Sequence, residues 1–309
     1  MALVTETLLG TEDKVQHAIE TLQAFCPQEG YYVAFSGGKD SVTIKALCDM
    51  AGVKYDAHYR VTSIDPPELV RFIKTNYPDV SFDYPRYPDG TRINMWNLIV
   101  KHKTPPTRIA RYCCEELKEV GGYGRMTVTG VRWAESVNRR KNQGIVTIYD
   151  ADDEMRANSN FFQQTPRGGV ILNNDNGEAR EYLESCYRLK KTVVNPIIDW
   201  EDEDVWEFIH KHNIPYCDLY DKGRDRLGCV GCPQGGNRQM TEDFERYPKY
   251  KNAYLLAFDK MLKARAEKGM KTMDIWDSPE GVLDWWLGNR SSKSTEIDGQ
   301  MEMEINNDG

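Results

Sequence analysis

Hydrophobic and polar positions alternate along the chain in a way that predicts strands followed by helices. The short aromatic and β-branched run Tyr31–Phe35 is typical of a buried strand. Ser36-Gly37-Gly38 follows it directly, and then a helical pattern begins at Ser41 with Val42 and Ile44 on its inward face. The same criteria predict further elements in chain order: a helix over 11–25, strands over 55–61 and 80–84 with a helix over 67–76 between them, strands over 126–131 and 192–198, and a helix over 201–212. This order predicts an α/β fold with a doubly wound, mainly parallel sheet covered on both faces.

Two regions depart from that alternation. Residues 141–190 are polar and rich in Asn, Gln and Gly, which predicts an excursion of hairpins or loops. Residues 239–289 have a helical pattern, and residues 290–309 are polar enough to predict disorder. We therefore predict a nucleotide-binding domain over 1–235 carrying the 141–190 insertion, a helical region over 236–289, and a disordered tail.

Composition narrows the function classes. The chain has 309 residues, 40% of them hydrophobic, and a formal net charge of −8. A negative total disfavours general binding to nucleic acids or membrane surfaces, because both are polyanions. The sequence has neither a secretory signal pattern nor a run of about 20 apolar residues that could cross a bilayer. We expect a cytoplasmic protein without membrane contact, whose eight cysteines are reduced.

The loop Ser36–Ser41 is the first candidate for chemistry. Its sequence is Ser-Gly-Gly-Lys-Asp-Ser, placed between a predicted strand and a predicted helix. Glycines let backbone amides converge on an anion, the helix N-terminus adds partial positive charge, and Lys39 adds a full charge. The spacing is not that of a Walker A motif, which places a Gly four residues before its Gly-Lys-[Ser/Thr]. The pattern predicts a phosphate site of another kind.

Four cysteines form the second candidate site. Cys113 and Cys114 are adjacent, and Cys229 and Cys232 have the spacing of a metal-ligand pair. Four thiolates suit zinc or an iron–sulfur cluster. A cluster at this position could also have a purely structural role. The remaining cysteines are expected to be small buried hydrophobes, and Cys217 is the one to test for reactivity.

Charged residues near predicted strand ends complete the candidates. Arg132 and Arg139 follow a predicted strand, where α/β sheets gather ligands and where guanidinium groups suit phosphate oxygens. Asp65 could orient a ribose or Mg²⁺, although the prolines after it equally predict a simple turn or helix-cap role. A basic stretch at 101–111 could meet a nucleic acid, and solvated charge is the simpler interpretation.

The loop Ser36–Ser41 resembles the PP-loop of the adenine-nucleotide α-hydrolase superfamily. Further segments resemble the phosphoadenosine phosphosulfate (PAPS) reductase family within it, over about residues 30–235. These segments are Arg111-Tyr-Cys-Cys114 with Glu116-Leu117-Lys118, Gly130-Val131-Arg132 with Glu135-Ser136 and Arg139, Pro196-Ile-Ile-Asp-Trp200 with Asp204-Val205-Trp206, and Gly228-Cys-Val-Gly-Cys-Pro233.

The resemblance implies a site for an adenine nucleotide, either ATP with Mg²⁺ or a sulfonucleotide (APS or PAPS). Combined with the residue-level reasoning, it gives a nucleotide-binding set of Ser36, Gly37, Gly38, Lys39, Asp40, Ser41, Asp65, Gly130, Arg132 and Arg139. Within this set Lys39, Asp40 and Arg132 are the predicted catalytic residues. For Cys113, Cys114, Cys229 and Cys232 the resemblance favours a 4Fe–4S cluster, with zinc as the alternative.

One departure from the family pattern bears on the reaction. Sulfonucleotide reductases of the family attack the substrate sulfur with a cysteine near the C-terminus, whereas this sequence has no cysteine after Cys232. We therefore favour ATP pyrophosphatase or adenylation chemistry in sulfur transfer, with a sulfur-donor protein as partner and a nucleic acid among the conceivable acceptors. The alternatives are an APS or PAPS reductase that uses another thiol, such as Cys217 or that of a thioredoxin-like partner, and a catalytically silent nucleotide-binding module.

Overall fold

The computed structural model describes residues 3–7, 10–157, 162–172 and 191–290. The chain forms two compact units, one made of Met1–Asn94 with Cys113–Cys229 and the other of Met95–Tyr112 with Val230–Gly309. This division differs from the predicted domains, because residues 95–112 group with the C-terminal helices. The predicted disordered tail lies outside the described residues except for Arg290.

The first unit contains all the strands of the described residues. They are β1 (Val4–Thr7), β2 (Gly10–Asp13), β3 (Tyr31–Ala34), β4 (Tyr55–Arg60), β5 (Ser81–Asp83), β6 (Thr127–Val128), β7 (Val146–Ile148), β8 (Gln163–Gln164), β9 (Val170–Leu172) and β10 (Thr192–Val194). The helices of the described residues are α1 (Lys14–Ala24), α2 (Lys39–Ala51), α3 (Pro67–Asn76), α4 (Met95–His102), α5 (Tyr112–Cys114), α6 (Val137–Asn142), α7 (Asp153–Ala157), α8 (Asp202–Lys211), α9 (Gly236–Arg246), α10 (Pro248–Glu267) and α11 (Pro279–Trp286). A π-helical turn, Glu115–Glu119, continues α5.

The main sheet has eight strands in the order β5-β4-β3-β6-β10-β7-β9-β8. The five strands from β5 to β10 pair in parallel. From β3 the chain goes outward through β4 to β5, and later strands add on the other side of β3 as β6 and β10. The strand order therefore reverses next to β3, and in doubly wound sheets ligands bind beyond the carboxyl ends of the strands at this point. The predicted fold class is confirmed.

The excursion at 141–190 extends the sheet with antiparallel strands. β7 pairs with β10, β9 with β7, and β8 with β9, all antiparallel. Hairpins are thus present in this region as expected, and residues 173–190 lie outside the described part. The N-terminal hairpin of β1 and β2 was not predicted, because its sequence is too polar for a buried strand pattern.

Local sequence explains where the helices around β3 begin and end. Asp13 caps α1 by accepting hydrogen bonds from the amides of Val15 (2.9 Å) and Gln16 (3.1 Å). Pro67 stands at the first position of α3, where its missing N–H costs nothing. Helix α2 ends at Gly52, whose φ of 66° is the left-handed conformation that favours glycine. These signals set the start of α1, the end of α2 and the start of α3.

The core of the first unit includes the central strands of the sheet and helix α2. Tyr31, Val33 and Val128 on its central strands are fully buried, and so are Val42 and Leu47 on α2. The apolar stripe of α2 that the sequence predicts therefore faces the sheet and holds the helix at the end of β3.

The second unit is helical and has its own aromatic core. Tyr254 on α10 packs edge-on against Trp96 on α4, with ring centroids 5.1 Å apart, and donates its hydroxyl to the carbonyl of Val230 (3.1 Å). Trp286 on α11 donates its indole N–H to the carbonyl of Pro106 (2.6 Å). Among the described residues, no helix has both the length and the apolar character needed to cross a membrane.

Candidate functional site

The backbone of Ser36–Ser41 turns sharply between β3 and α2. Gly37 has a φ of 74°, and a Cβ there would come within 2.7 Å of Leu69 Cδ1 and 2.8 Å of Ile73 Cδ1. Both its conformation and its close approach to α3 therefore require glycine. Gly38 is the N-cap of α2 and provides no side-chain cap for the helix.

The first amides of this turn are arranged as anion donors. Among the described residues, the amides of Gly37 and Asp40 have no hydrogen-bond acceptor. The amide of Lys39 donates to the hydroxyl of Tyr220 (2.8 Å). Uncapped amides at the first turn of a helix are the backbone feature that binds phosphate groups.

The two hydroxyls of the loop stabilise its shape. Ser41 Oγ donates to the carbonyl of Gly38 (2.9 Å), and Ser36 Oγ donates to Ser41 Oγ (3.3 Å). The amide of Gly38 lies 3.4 Å from Ser36 Oγ and donates to it. In this state both side chains bond within the loop, and their predicted contact with nucleotide remains a prediction.

Four charged side chains meet beside the loop. Lys39 is only 7% exposed, and its Nζ lies 3.4 Å from Asp202 Oδ1. Arg132 is 1% exposed and donates from Nε to Asp40 Oδ1 (2.7 Å) and from Nη1 to the carbonyl of Trp200 (3.2 Å). It also forms an ion pair with Asp202. The structure thus brings the three predicted catalytic residues together and adds Asp202, from the first turn of α8, as a partner of both Lys39 and Arg132.

These cations keep Asp202 ionised. Partial burial acts to raise the pKa of Asp202, but the hydrogen bond from Arg132 and the charge of Lys39 outweigh it, so the pKa is lowered from its usual value. Asp202 therefore stays negative at neutral pH and pairs with Lys39.

Gly130, two residues after β6, lies against the first turn of α2. A Cβ at Gly130 would lie 2.7 Å from Asp40 Cβ and 3.0 Å from the Asp40 backbone carbon and oxygen. Absence of a side chain at this position lets the first turn of α2 approach the end of β6.

We expect Gly130→Ala to displace this turn and lower the free energy of unfolding by about 1–3 kcal/mol, the usual cost of overpacking. Urea unfolding measures the free energy of unfolding, and calorimetric titration measures the affinity of the loop for inorganic pyrophosphate. Gly228→Ala is the matched control, because a Cβ there meets nothing within 4 Å. Equal stability of the two variants would contradict the close approach of Gly130 to α2.

Two other predicted ligands have other partners. Both carboxylate oxygens of Asp65 bond to Thr62, one to its amide (2.9 Å) and one to its hydroxyl (2.8 Å). This is the turn role that the sequence left open. Arg139 pairs with Glu135 on a short helical segment, and no described contact joins it to the loop. Nucleotide binding by Asp65 and Arg139 stays a prediction.

Three of the four predicted metal-binding cysteines belong to the first unit. Cys113, Cys114 and Cys229 are half-buried and are not part of disulfides, and Cys229 Sγ lies 3.6 Å from Thr62 Oγ1. The charge of Cys229, with smaller contributions from Asp65 and Cys114, raises the pKa of Lys118. Partly accessible thiols are suitable donors for a soft metal centre.

The described residues do not assemble the geometry of a metal centre. Within the described ranges, no group of three or more His, Cys, Asp or Glu side chains is arranged to hold an ion. Cys232 belongs to the second unit. The donor chemistry therefore fits the predicted four-cysteine set, and metal binding stays a prediction.

Cys217 has the properties of a buried structural cysteine. It is completely buried, and this burial raises the pKa of its thiol above the ordinary value. A reactive cysteine needs a lowered pKa and solvent access. The environment of Cys217 therefore disfavours it as a nucleophile.

Sequence reasoning missed Asp202 and Tyr220. Both lie far from the loop in the chain, and Tyr220 contacts a residue 181 positions away. Asp202 stands two residues after Trp200, at the start of the predicted helix over 201–212 and between the motif residues of the resemblance. An acidic residue in the first turn of a helix is the only local signal, and capping explains it equally well.

A comparison with protein families identifies the family of this chain. The model of the phosphoadenosine phosphosulfate reductase domain matches residues 30–235, which include β3, the loop, β6, β10 and α8. The chain belongs to this family. Membership in the PAPS reductase family confirms the resemblance drawn from the motifs.

Individual relatives differ in how much of the chain they share. An uncharacterised protein of Methanocaldococcus jannaschii is 26% identical over 253 residues, which are 79% of this chain and 52% of that protein. The chain thus spans about half the length of this relative, and 39% of a second uncharacterised protein from the same organism. An adenosine 5'-phosphosulfate reductase of Staphylococcus haemolyticus is 23% identical over 72% of this chain and 79% of its own length. Among solved structures, the PAPS reductase of Candida auris in complex with phosphate has a TM-score of 0.38 and 15% identity, covering 70% of this chain and 93% of that one.

Proposed function

We propose that the chain binds ATP at Ser36–Ser41 and transfers its adenylyl group to an acceptor, releasing pyrophosphate as the first half of a sulfur transfer. The observation that carries this proposal is the set of uncapped amides around Lys39 at the point where the strand order reverses. Such a turn suits a polyphosphate, because its donors are fixed before the ligand arrives.

The proposed reaction has two displacements. An oxygen of the acceptor attacks the α-phosphorus of ATP, the new P–O bond forms, and the bond from that phosphorus to the bridging oxygen of pyrophosphate breaks. The bonding electrons leave with the pyrophosphate. A sulfur nucleophile from a donor protein then displaces AMP from the adenylated acceptor, which is a small molecule or a nucleic acid.

The residues of the loop act on the leaving group. Negative charge grows on the pyrophosphate as the bond breaks, and the amides of Gly37 and Asp40 with the ammonium of Lys39 stabilise that charge. Mg²⁺ bound with ATP would neutralise further phosphate charge. Arg132 is a positioning residue in this scheme, since its guanidinium holds Asp40 and Asp202 and stabilises the geometry around Lys39.

The four cysteines form the second part of the proposal. We assign Cys113, Cys114, Cys229 and Cys232 to an iron–sulfur cluster, with zinc as the alternative metal. When bound, such a centre would cross-link distant segments or supply one-electron chemistry.

Iron content tests this assignment. Protein purified without oxygen is expected to contain iron and acid-labile sulfide and to absorb visible light, and Cys229→Ser is expected to lose most of that iron. Cys26→Ser is the matched control, because Cys26 is also a half-buried free thiol and lies outside the set. Zinc in place of iron would select the alternative, and a metal-free wild-type protein would contradict both.

Sulfonucleotide reduction is the second candidate. It is supported by the relative named adenosine 5'-phosphosulfate reductase, which aligns with 72% of this chain at 23% identity. In that case the attacking thiol comes from a thioredoxin-like partner rather than from the buried Cys217. The sulfur of the substrate is reduced to sulfite while two thiols are oxidised to a disulfide.

Product analysis separates the candidates. The anaerobically purified protein is incubated with ATP, APS or PAPS, in the presence and absence of reduced thioredoxin. Pyrophosphate and AMP from ATP support adenylation, whereas sulfite from APS or PAPS with thioredoxin supports reduction and overturns the first proposal. Nucleotide binding without either product would identify a silent binding module.

A further inference from the structure

Tyr220 lies directly over the phosphate loop. Its hydroxyl accepts the hydrogen bond from the amide of Lys39 at 2.8 Å. A Cβ on Gly38 would approach the same hydroxyl to 3.4 Å, so the phenol oxygen is close to the glycine turn itself. No other side chain in the described residues accepts a hydrogen bond from the backbone of Lys39.

The phenol oxygen has the position that a phosphate oxygen needs. The amides of Gly37 and Asp40, on either side of Gly38 and Lys39, have no acceptor among the described residues. One amide proton makes one well-aligned hydrogen bond. A phosphate oxygen can therefore take the proton of Lys39 only after the hydroxyl of Tyr220 has left it.

A neutral hydroxyl is a weak competitor for this position. Burial raises the pKa of Tyr220 well above its ordinary value, so the side chain remains an uncharged phenol at neutral pH. A phosphate oxygen carries negative charge and forms the stronger, charge-assisted bond. The exchange is thus favourable for a polyphosphate.

Aromatic neighbours hold the ring of Tyr220. Its centroid lies 5.1 Å from that of Trp206 on α8 in an edge-on arrangement, and 6.5 Å from that of Tyr216. Displacement of the hydroxyl must move this ring relative to Trp206. Helix α8 is therefore linked to the loop in two ways, directly through the ion pair of Asp202 with Lys39 and indirectly through Trp206, which packs on Tyr220.

We propose that Tyr220 is an internal occupant of the phosphate subsite, which closes the Lys39 amide in the empty protein and withdraws when a polyphosphate binds. The inference rests on the proposed nucleotide function. Tyr220 then sets the affinity of the loop for polyphosphate. Because its ring packs against Trp206, its movement changes the surroundings of Trp206, whose fluorescence then reports whether the loop is occupied.

Removal of one hydroxyl tests the proposal. Inorganic pyrophosphate is titrated into the full-length wild type and Tyr220→Phe by calorimetry, and we expect the variant to bind about 3- to 10-fold more tightly, because no hydrogen bond must be broken first. Phenylalanine retains the ring that packs on Trp206. Tyr216→Phe is the matched control, since it loses a hydroxyl from the same aromatic cluster that bonds to Asp221 (3.1 Å) instead of the loop.

Fluorescence provides the second measurement. Pyrophosphate is expected to change the tryptophan emission of the wild type, and Trp206→Phe is expected to abolish that change. Equal or weaker binding by Tyr220→Phe would overturn the inference, and weaker binding would make the hydroxyl a ligand of the phosphate. If neither wild type nor Tyr220→Phe binds pyrophosphate or ATP, the proposed function itself fails.

Discussion

Lys39→Ala is expected to weaken pyrophosphate binding by about 10- to 100-fold, the value of a charge-assisted hydrogen bond to phosphate. The side chain is shielded from solvent, so its charge acts with little screening. Its removal also leaves Asp202 without this ammonium beside the loop, and the remaining carboxylate then repels the ligand. Calorimetric titration of pyrophosphate, and of ATP with Mg²⁺, measures both contributions together.

Lys45→Ala is the matched control for this loss. Lys45 is on the same helix, its side chain is similarly shielded (10% against 8% exposed), and it pairs with Asp79 at 2.9 Å instead of facing the loop. We expect its affinity for pyrophosphate to equal that of the wild type. If Lys39→Ala binds as tightly as Lys45→Ala, the loop is not the phosphate site and the proposed function is wrong.

Arg132→Met is expected to lower the free energy of unfolding by about 2–4 kcal/mol. Removing one partner from a buried ion pair costs about 3–5 kcal/mol, and partial exposure of the carboxylates of Asp40 and Asp202 reduces that cost. Methionine fills much of the volume, so the loss reports the guanidinium contacts and not a large cavity. Urea unfolding at neutral pH measures it.

Two further variants test whether the lost stability comes from the ion pairs of Arg132. Arg139→Met removes an arginine whose ion pair is more exposed, and we expect a cost below about 1 kcal/mol. The double variant Arg132→Met with Asp40→Asn is expected to be more stable than the sum of the single effects predicts, because Asn needs no charge partner. Additive effects would show that Arg132 and Asp40 do not act as a pair.

The sequence predicted the features of the site that depend on neighbouring residues. Tyr31–Phe35 and the glycines after it form a strand and a turn for local reasons, and the structure has them there. The parallel order of the sheet followed from alternation of strands with helices. In contrast, helix α4 was not predicted, and it groups with helices more than 130 residues later in the chain.

The missing part of the site depends on tertiary contacts. Asp202 became a partner of Lys39 and Arg132 only because α8 packs near the loop, at a separation of 70 residues from Arg132. Tyr220 lies in an irregular segment whose pattern has no period. Neither position has a residue type that marks phosphate binding, so motif reasoning selected Arg139, whose described ion pair is with Glu135.

The antiparallel strands at the edge of the sheet have a consequence for how this protein could diversify. β7 is three strands away from β3, roughly 14 Å at the usual spacing, and β9 and β8 lie farther out. Changes of length or sequence in these antiparallel strands affect an edge of the sheet that lies far from Lys39. New hairpins grafted at this edge would therefore leave the contacts of Lys39 with Asp202 and of Arg132 with Asp40 unchanged.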